Sequence, residues 1–237
     1  MMNEHTAKAF DADLHELLRI VAEMGGLAER QIADSVAALV RRDIDLAGRV
    51  AAADAAIDAL QRDIEEKAVL TIARRQPMAI DLRDVVGALR VSNDLERIGD
   101  LAKNNAKRVA ALGGDFHPQK LIRGVEHMSS LVLAQLKRVL DSYASRDVPS
   151  ALAVWKSDEG IDALCTSLFR ELLTYMMEDP RNITFCIHLM FCAKNIERIG
   201  DHATNIAETV YYMVEGRAIA DPRPKGDTTA FASIQAS

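Results

Sequence analysis

Apolar residues recur along this chain at spacings of three and four, the period of a helix with one buried face. Leu14, Leu17, Val21, Met24, Ala28, Ile32, Val36 and Leu39 form one such stripe and predict a helix from about residue 5 to 41. Leu46, Val50, Ala53, Ile57, Leu60 and Ile64 form a second, predicting a helix over about 43–74 that ends in Arg74-Arg75. Gln76-Pro77-Met78 is the turn, and Asp81 with Asp84 resembles an N-terminal capping arrangement. Leu82, Val85, Leu89, Leu95, Ile98, Ala102 and Val109 carry a third helix to about 112. Gly113-Gly114 stops it and His117-Pro118 opens a linker.

The pattern then starts again. Three further helices are predicted over about 119–145, 149–178 and 182–215, separated at Pro149 and Pro180. Residues also repeat. Arg42-Asp43 returns as Arg146-Asp147, and Asp54, Ile57, Asp58 and Leu60 as Asp158, Ile161, Asp162 and Leu164, each 104 positions on. Glu96-Arg97-Ile98-Gly99-Asp100 returns 101 positions later as Glu197-Arg198-Ile199-Gly200-Asp201, so the second copy has lost three residues near Pro180. The fold expected is all-α, two tandem three-helix bundles related by internal duplication. The first spans 1–115 and the second 116–216, and the proline-containing, polar remainder, 217–237, is expected to be a disordered tail.

Composition narrows the function classes. Only 5% of the 237 residues are aromatic against 49% apolar, so Ala, Leu, Ile and Val fill the core, as suits helix-on-helix packing. A net charge of -6 argues against a broad nucleic-acid surface. Cys165, Cys186 and Cys192 form no CxxC motif, which points to a reducing cytoplasm and to buried core thiols, even with His188 between two of them. There is no signal-peptide pattern and no apolar run approaching the ~20 residues of a membrane span, so a soluble protein, peripheral to a membrane at most, is expected.

The chemistry sits in acidic pairs four residues apart, which project from one helix face. Asp58 and Asp54 lie 19 and 23 residues before Pro77; Glu96 and Asp100 lie 19 and 23 after it. In an antiparallel hairpin these four carboxylates share one level. Asp158, Asp162, Glu197 and Asp201 do the same around Pro180. Gathered negative charges repel and need a cation. One source is arginine, from Arg62, Arg97 or Arg198. The other is a metal ion, for which carboxylate oxygens are hard ligands. The acidic positions fall one residue beside the apolar stripes, at the edge of the helix seam. Gly99 and Gly200, each directly before an Asp, suggest that a side chain there would obstruct packing or the site. His202 is an optional ligand at most, and Asn104 and Asn205 are read as surface residues. No Glu-x-x-His pair, Walker A, GxSxG or GxGxxG motif occurs, so an enzyme is not expected.

Ala73 to Arg83 followed by Asp94-Leu95-Glu96-Arg97-Ile98-Gly99-Asp100, with Asn195 to Asn205 as its second copy, resembles the PhoU family of phosphate-signalling regulators. The likeness runs from about residue 5 to 215. It implies two three-helix bundles in a cytoplasmic, homodimeric protein that dampens phosphate-starvation genes and phosphate uptake. Its implied partners are the ATPase subunit of a phosphate ABC transporter and a PhoR-type sensor histidine kinase. It also implies metal clusters, iron foremost and zinc, magnesium or manganese as alternatives, on Asp54, Asp58, Glu96, Asp100, Asp158, Asp162, Glu197 and Asp201. One departure is Asn195 where the first copy has Asp94; if that position supplies a ligand, the two clusters differ. Alternative readings are a metal-binding helical-bundle enzyme or storage protein, or the regulatory domain of an ion transporter.

Overall fold

A computed structural model describes residues 2–112 and 119–223. Six long helices follow one another: α1 (Met2–Arg41), α2 (Ile44–Arg75), α3 (Ile80–Leu112), α4 (Gln119–Ser145), α5 (Val148–Glu178) and α6 (Ile183–Glu215), with a 3-10 turn at Pro180–Asn182 before the last. There is no strand among the described residues. The expected Gly113-Gly114 stop, the His117-Pro118 linker and residues 224–237 of the expected tail lie outside them.

The duplication shows in the turns. Arg42 and Arg146 both adopt the left-handed conformation at φ 57°. The aspartate after each then caps the next helix: Asp43 accepts from the Leu46 amide at 2.8 Å and Asp147 from the Ser150 amide at 3.1 Å. The αL residue reverses the chain within one step and the carboxylate satisfies an otherwise orphaned helix N–H. The Asp81–Asp84 capping arrangement expected for α3 does not form. α3 already begins at Ile80, and Asp84 is buried at 8% exposure and accepts from Arg146 Nη2 at 2.6 Å. That ion pair joins the first bundle to the α4–α5 turn of the second.

α1, α2 and α3 form one bundle, and α4, α5 and α6 the other. The two meet along α3 against α6 and α1 against α4. Both pairs run antiparallel. Along α3–α6, Gly87 lies against Met213, Asp94 against His202 and Asn105 against Asn195. Along α1–α4, Gly25 lies against Leu140. α3 and α6 are therefore covered from both sides. Leu95, Ile98, Ala102 and Ala106 on α3, and Ile196, Ile199, Ala203 and Ile206 on α6, have no exposed surface. The acidic motifs ride on these two central helices, which places carboxylates beside the dry interior. No helix is long and apolar enough to cross a membrane among the described residues.

Candidate metal centres

On α2 the buried stripe is Ala47, Val50, Asp54, Ile57, Ile64, Ala68 and Thr71. Asp54 thus occupies a core position, with 3% of its surface exposed, while Ala53 faces outward. The expected edge placement is wrong by one residue for this aspartate. It fails more widely in the second half, where Asp158, Asp162 and Glu197 are exposed by only 2%, 3% and 4%. Asp58, Glu96, Asp100 and Asp201 are half-buried, nearer the seam's rim.

The four acids of each half do share a level. Glu96 feels the charges of Asp100, Asp58 and Asp54; Glu197 feels those of Asp201 and Asp162, and Asp158 those of Asp162 and Asp201. Among the described residues, however, no three Asp, Glu, His or Cys groups converge as they would around a single ion. The cations seated in the clusters are side chains. Lys103 Nζ donates to Asp54 at 2.5 Å and to Asp100 at 3.1 Å, and these bonds raise its pKa. The position equivalent to Lys103 in α6 is Thr204, whose hydroxyl lies 3.3 Å from Asp158 Oδ1. The second cluster has Lys194 on Glu197 and adds a cation from beyond the repeat. Arg223 donates to Asp158 Oδ2 through Nε at 3.1 Å and Nη2 at 2.9 Å, and to Asp201 Oδ1 at 2.6 Å. Residues 217–223, expected within the disordered tail, are thus placed, with Arg223 docked on this cluster. Arg97, offered as a neutralising arginine, lies 3.4 Å from Glu96 and 3.7 Å from Asp100 but is 64% exposed. A pair so exposed contributes little, ~0–1 kcal/mol.

Burial dominates the electrostatics. It raises the Glu96 pKa, partly offset by Arg97, and it raises that of Asp158 against the pull of Arg223. Glu197 is pushed up to about 7 by burial, with Lys194 pulling down and Asp201 and Asp162 pushing further up. Lys194 donates to its Oε1 at 2.9 Å, while Oε2 is buried without a hydrogen-bond partner. Burial likewise pushes the Cys192 thiol up to about 12 and raises that of Cys186, so both are inert core groups.

Position 94/195 belongs to the inter-bundle seam. Asp94 accepts from His202 Nδ1 at 2.8 Å and from Asn205 at 3.2 Å, while Asn195 donates to Asn105 at 2.9 Å. Asn205, read as a surface residue, is half-buried there, whereas Asn104 is exposed as expected. Sequence reasoning also missed Lys103, Lys194 and the glutamines Gln31 and Gln135. Lys103 was legible one turn beyond Asp100, and the glutamines from their spacing of 104 residues. Arg223 carries no such signal.

The PhoU domain model matches residues 21–109 and again 125–210, so each bundle is one copy. The chain belongs to the PhoU family. A Rhizobium meliloti protein described as a phosphate-specific transport system accessory protein PhoU homolog is 59% identical over 230 residues, 97% of either chain. A Caulobacter vibrioides protein with the same description is 50% identical over 95% of this chain and 98% of its own. The crystal structure of PhoU from Pseudomonas aeruginosa superposes with a TM-score of 0.82 at 40% identity, covering 88% of this chain and all of that one. The phosphate transport system regulatory protein PhoU from Streptococcus pneumoniae gives the same TM-score at 27% identity, over 89% of this chain and 99% of its own. These names describe accessory and regulatory proteins, and the PhoU family is not one of enzymes.

The motif glycines are not equivalent. A Cβ on Gly99 would meet Ile57 Cδ1 at 3.0 Å, Gln31 Oε1 at 3.1 Å and Asp54 Oδ1 at 3.2 Å, whereas one on Gly200 would meet nothing closer than 3.4 Å. The expected obstruction holds for Gly99 alone. Gly99→Ala is therefore predicted to lower stability by about 1–2 kcal/mol, overpacking outweighing the helix-propensity gain. Gly200→Ala should be neutral or stabilise by up to about 1 kcal/mol. Urea denaturation of the two variants checks the contrast. Glu197 also makes stability depend on pH. In metal-free protein the raised Glu197 pKa makes the native state hold its proton more tightly than the unfolded chain does. Stability is thereby lost as pH rises from the ordinary carboxylate value of 4.5 to about 7. Glu197→Gln should reduce the loss measured between about pH 5 and pH 8 by about 1–3 kcal/mol; an unchanged slope would count against the buried, protonated Glu197.

Proposed function

We propose that this chain is a cytoplasmic, homodimeric negative regulator of the phosphate-starvation response and of phosphate uptake. It acts as an adaptor between the ATPase subunit of a phosphate ABC transporter and a PhoR-type sensor histidine kinase. The observation that carries this reading is the 59% identity, over 97% of both chains, to a protein described as a phosphate-specific transport system accessory protein. The hairpin ends supply apolar surface suited to protein partners: Val69, Met78 and Ile80 at one, Met177, Ile183 and Phe191 at the other, each at least 41% exposed.

We further propose that Asp54, Asp58, Glu96 and Asp100, and Asp158, Asp162, Glu197 and Asp201, hold metal ions. The donor set fits. It is made of oxygens gathered at one level, and Glu197 Oε2 is already stripped of water without a hydrogen bond in exchange. Such a set suits hard cations, iron among them, with manganese, magnesium or zinc as alternatives. Lys103 and Arg223 hold carboxylate oxygens that an ion would need. A bound ion would supply charge neutralisation and crosslink the helices of a hairpin; the chain's own contribution is to hold the carboxylates in register.

Two measurements test these readings. Deleting the gene should derepress phosphate-starvation genes in high phosphate, read by reporter expression; normal repression would sink the regulatory reading. Elemental analysis of purified protein should find bound metal that a Glu96→Ala/Asp100→Ala variant loses from its first half. Near-zero metal in both would leave side-chain cations as the only neutralisers.

A further inference from the structure

Gln31 on α1 and Gln135 on α4 stand outside the two sets of four carboxylates. The two are 104 positions apart, the offset that relates Asp54 to Asp158. Gln31 is only 4% exposed. In both residues Oε1 is buried and has no hydrogen-bond donor. A buried acceptor left without a donor carries a free-energy cost. Leucine, of similar size, would fill either position without that cost.

The orientation of each amide is set by its nitrogen. Gln135 Nε2 donates at 2.8 Å to Ser157 Oγ, whose own proton goes to the Val154 carbonyl at 2.8 Å. Gln31 Nε2 faces the Val50 carbonyl at 3.5 Å, where a flipped amide would set two acceptors against each other. The free oxygens therefore point the other way, toward the acidic motif. At Gly99 the place of the missing Cβ is 3.1 Å from Gln31 Oε1 and 3.2 Å from Asp54 Oδ1; at Gly200 it is 3.7 Å from Gln135 Oε1. Two acceptor oxygens, one of them an aspartate's, border the same glycine-opened space. An acceptor beside an acceptor is favourable only with a cation or a donor between them.

We propose that Gln31 and Gln135 are additional oxygen ligands, one for each carboxylate cluster, contributed by the third helix of each bundle. The proposal rests on the metal reading above. An amide carbonyl is a hard donor that brings no charge. It adds coordination without adding to the repulsion among four carboxylates. It also ties α1 to the α2–α3 hairpin, and α4 to α5–α6, whenever the cluster is filled.

The test uses the full chain, stripped by chelator and titrated with Mn2+, with free Mn2+ followed by electron paramagnetic resonance. Gln31→Leu and Gln135→Leu should each weaken one class of sites about tenfold or more. Without metal, both variants should melt at or above the wild-type temperature, since an orphaned oxygen has been replaced by apolar volume. Gln31→Glu and Gln135→Glu, which keep an oxygen at the same reach, should bind Mn2+ as tightly as wild type or more tightly; weaker binding would overturn the proposal even if the leucine variants fail to fold. Unchanged Mn2+ affinity in the leucine variants would overturn the amide ligands and leave the carboxylate reading standing. A wild-type protein that binds no Mn2+ would overturn both.

Discussion

Like charges buried beside a dry helix seam are the constraint around which this molecule is arranged. Taking one carboxylate out of water costs several kcal/mol even after relaxation, and each half gathers four at one level. Packing alone cannot hold such a group, so each cluster must contain a cation. The first half solves this within itself. Lys103 stands one turn beyond Asp100 on the same helix and reaches across to Asp54 on α2. The second half, with Thr204 in that place, pairs Lys194 with Glu197 and also draws Arg223 in from beyond the repeat. One duplicated acidic framework is thus neutralised in two ways.

That asymmetry lies within an otherwise symmetrical body. Turns with an αL arginine and a capping aspartate recur in both halves, and the central helices α3 and α6 lie antiparallel along a shared seam. The seam is also where the repeats have diverged in chemistry. Asp94 gathers His202 and Asn205, while its counterpart Asn195 meets Asn105 through a neutral amide pair. The difference between Asp94 and Asn195 therefore lies in how the two bundles meet. Asn205 connects the seam to the second cluster, since its Oδ1 also lies 3.5 Å from Arg223 Nη1.

Much of this was legible from spacing. The 3.6-residue period placed all six helices to within a few residues at each end, and counting outward from Pro77 and Pro180 set the acidic pairs level. Periodicity was less reliable at single positions. An alanine and an aspartate side by side on α2 both suit a stripe of small residues, and hydrophobicity favours the wrong one; Asp54 is inside because Lys103 compensates it. Asp84 was misread for a similar reason. Near a helix start, an aspartate suggests a cap, and its partner Arg146 is 62 residues away with no periodic relation to it. Arg223 stands between Pro222 and Pro224 in a stretch whose composition suggests only a tail. Long-range ion pairs depend on which surfaces meet, and no local pattern encodes that.

Lys103 and Arg223 also differ in what their removal would involve. Lys103 is rooted in α3, so a competing ion at the first cluster needs only a change of side-chain rotamer. Arg223 is anchored by its side chain within a non-helical segment, and Asp158 Oδ2 and Asp201 Oδ1 cannot give the same lone pairs to a guanidinium and to a metal ion. On the metal reading proposed above, an ion on those two oxygens would compete with Arg223, which ties the 217–223 stretch of the chain to the cluster. That stretch contributes Ala218, Ile219 and Asp221 to the wall of a cavity of about 430 Å3, against Arg90 and Tyr212. The same charge that balances the buried acids thus holds a surface segment in place. Each half of the duplicated framework carries a lysine of its own, Lys103 and Lys194, and the second alone adds a cation from outside the repeat, so its electrostatics reach beyond the bundle.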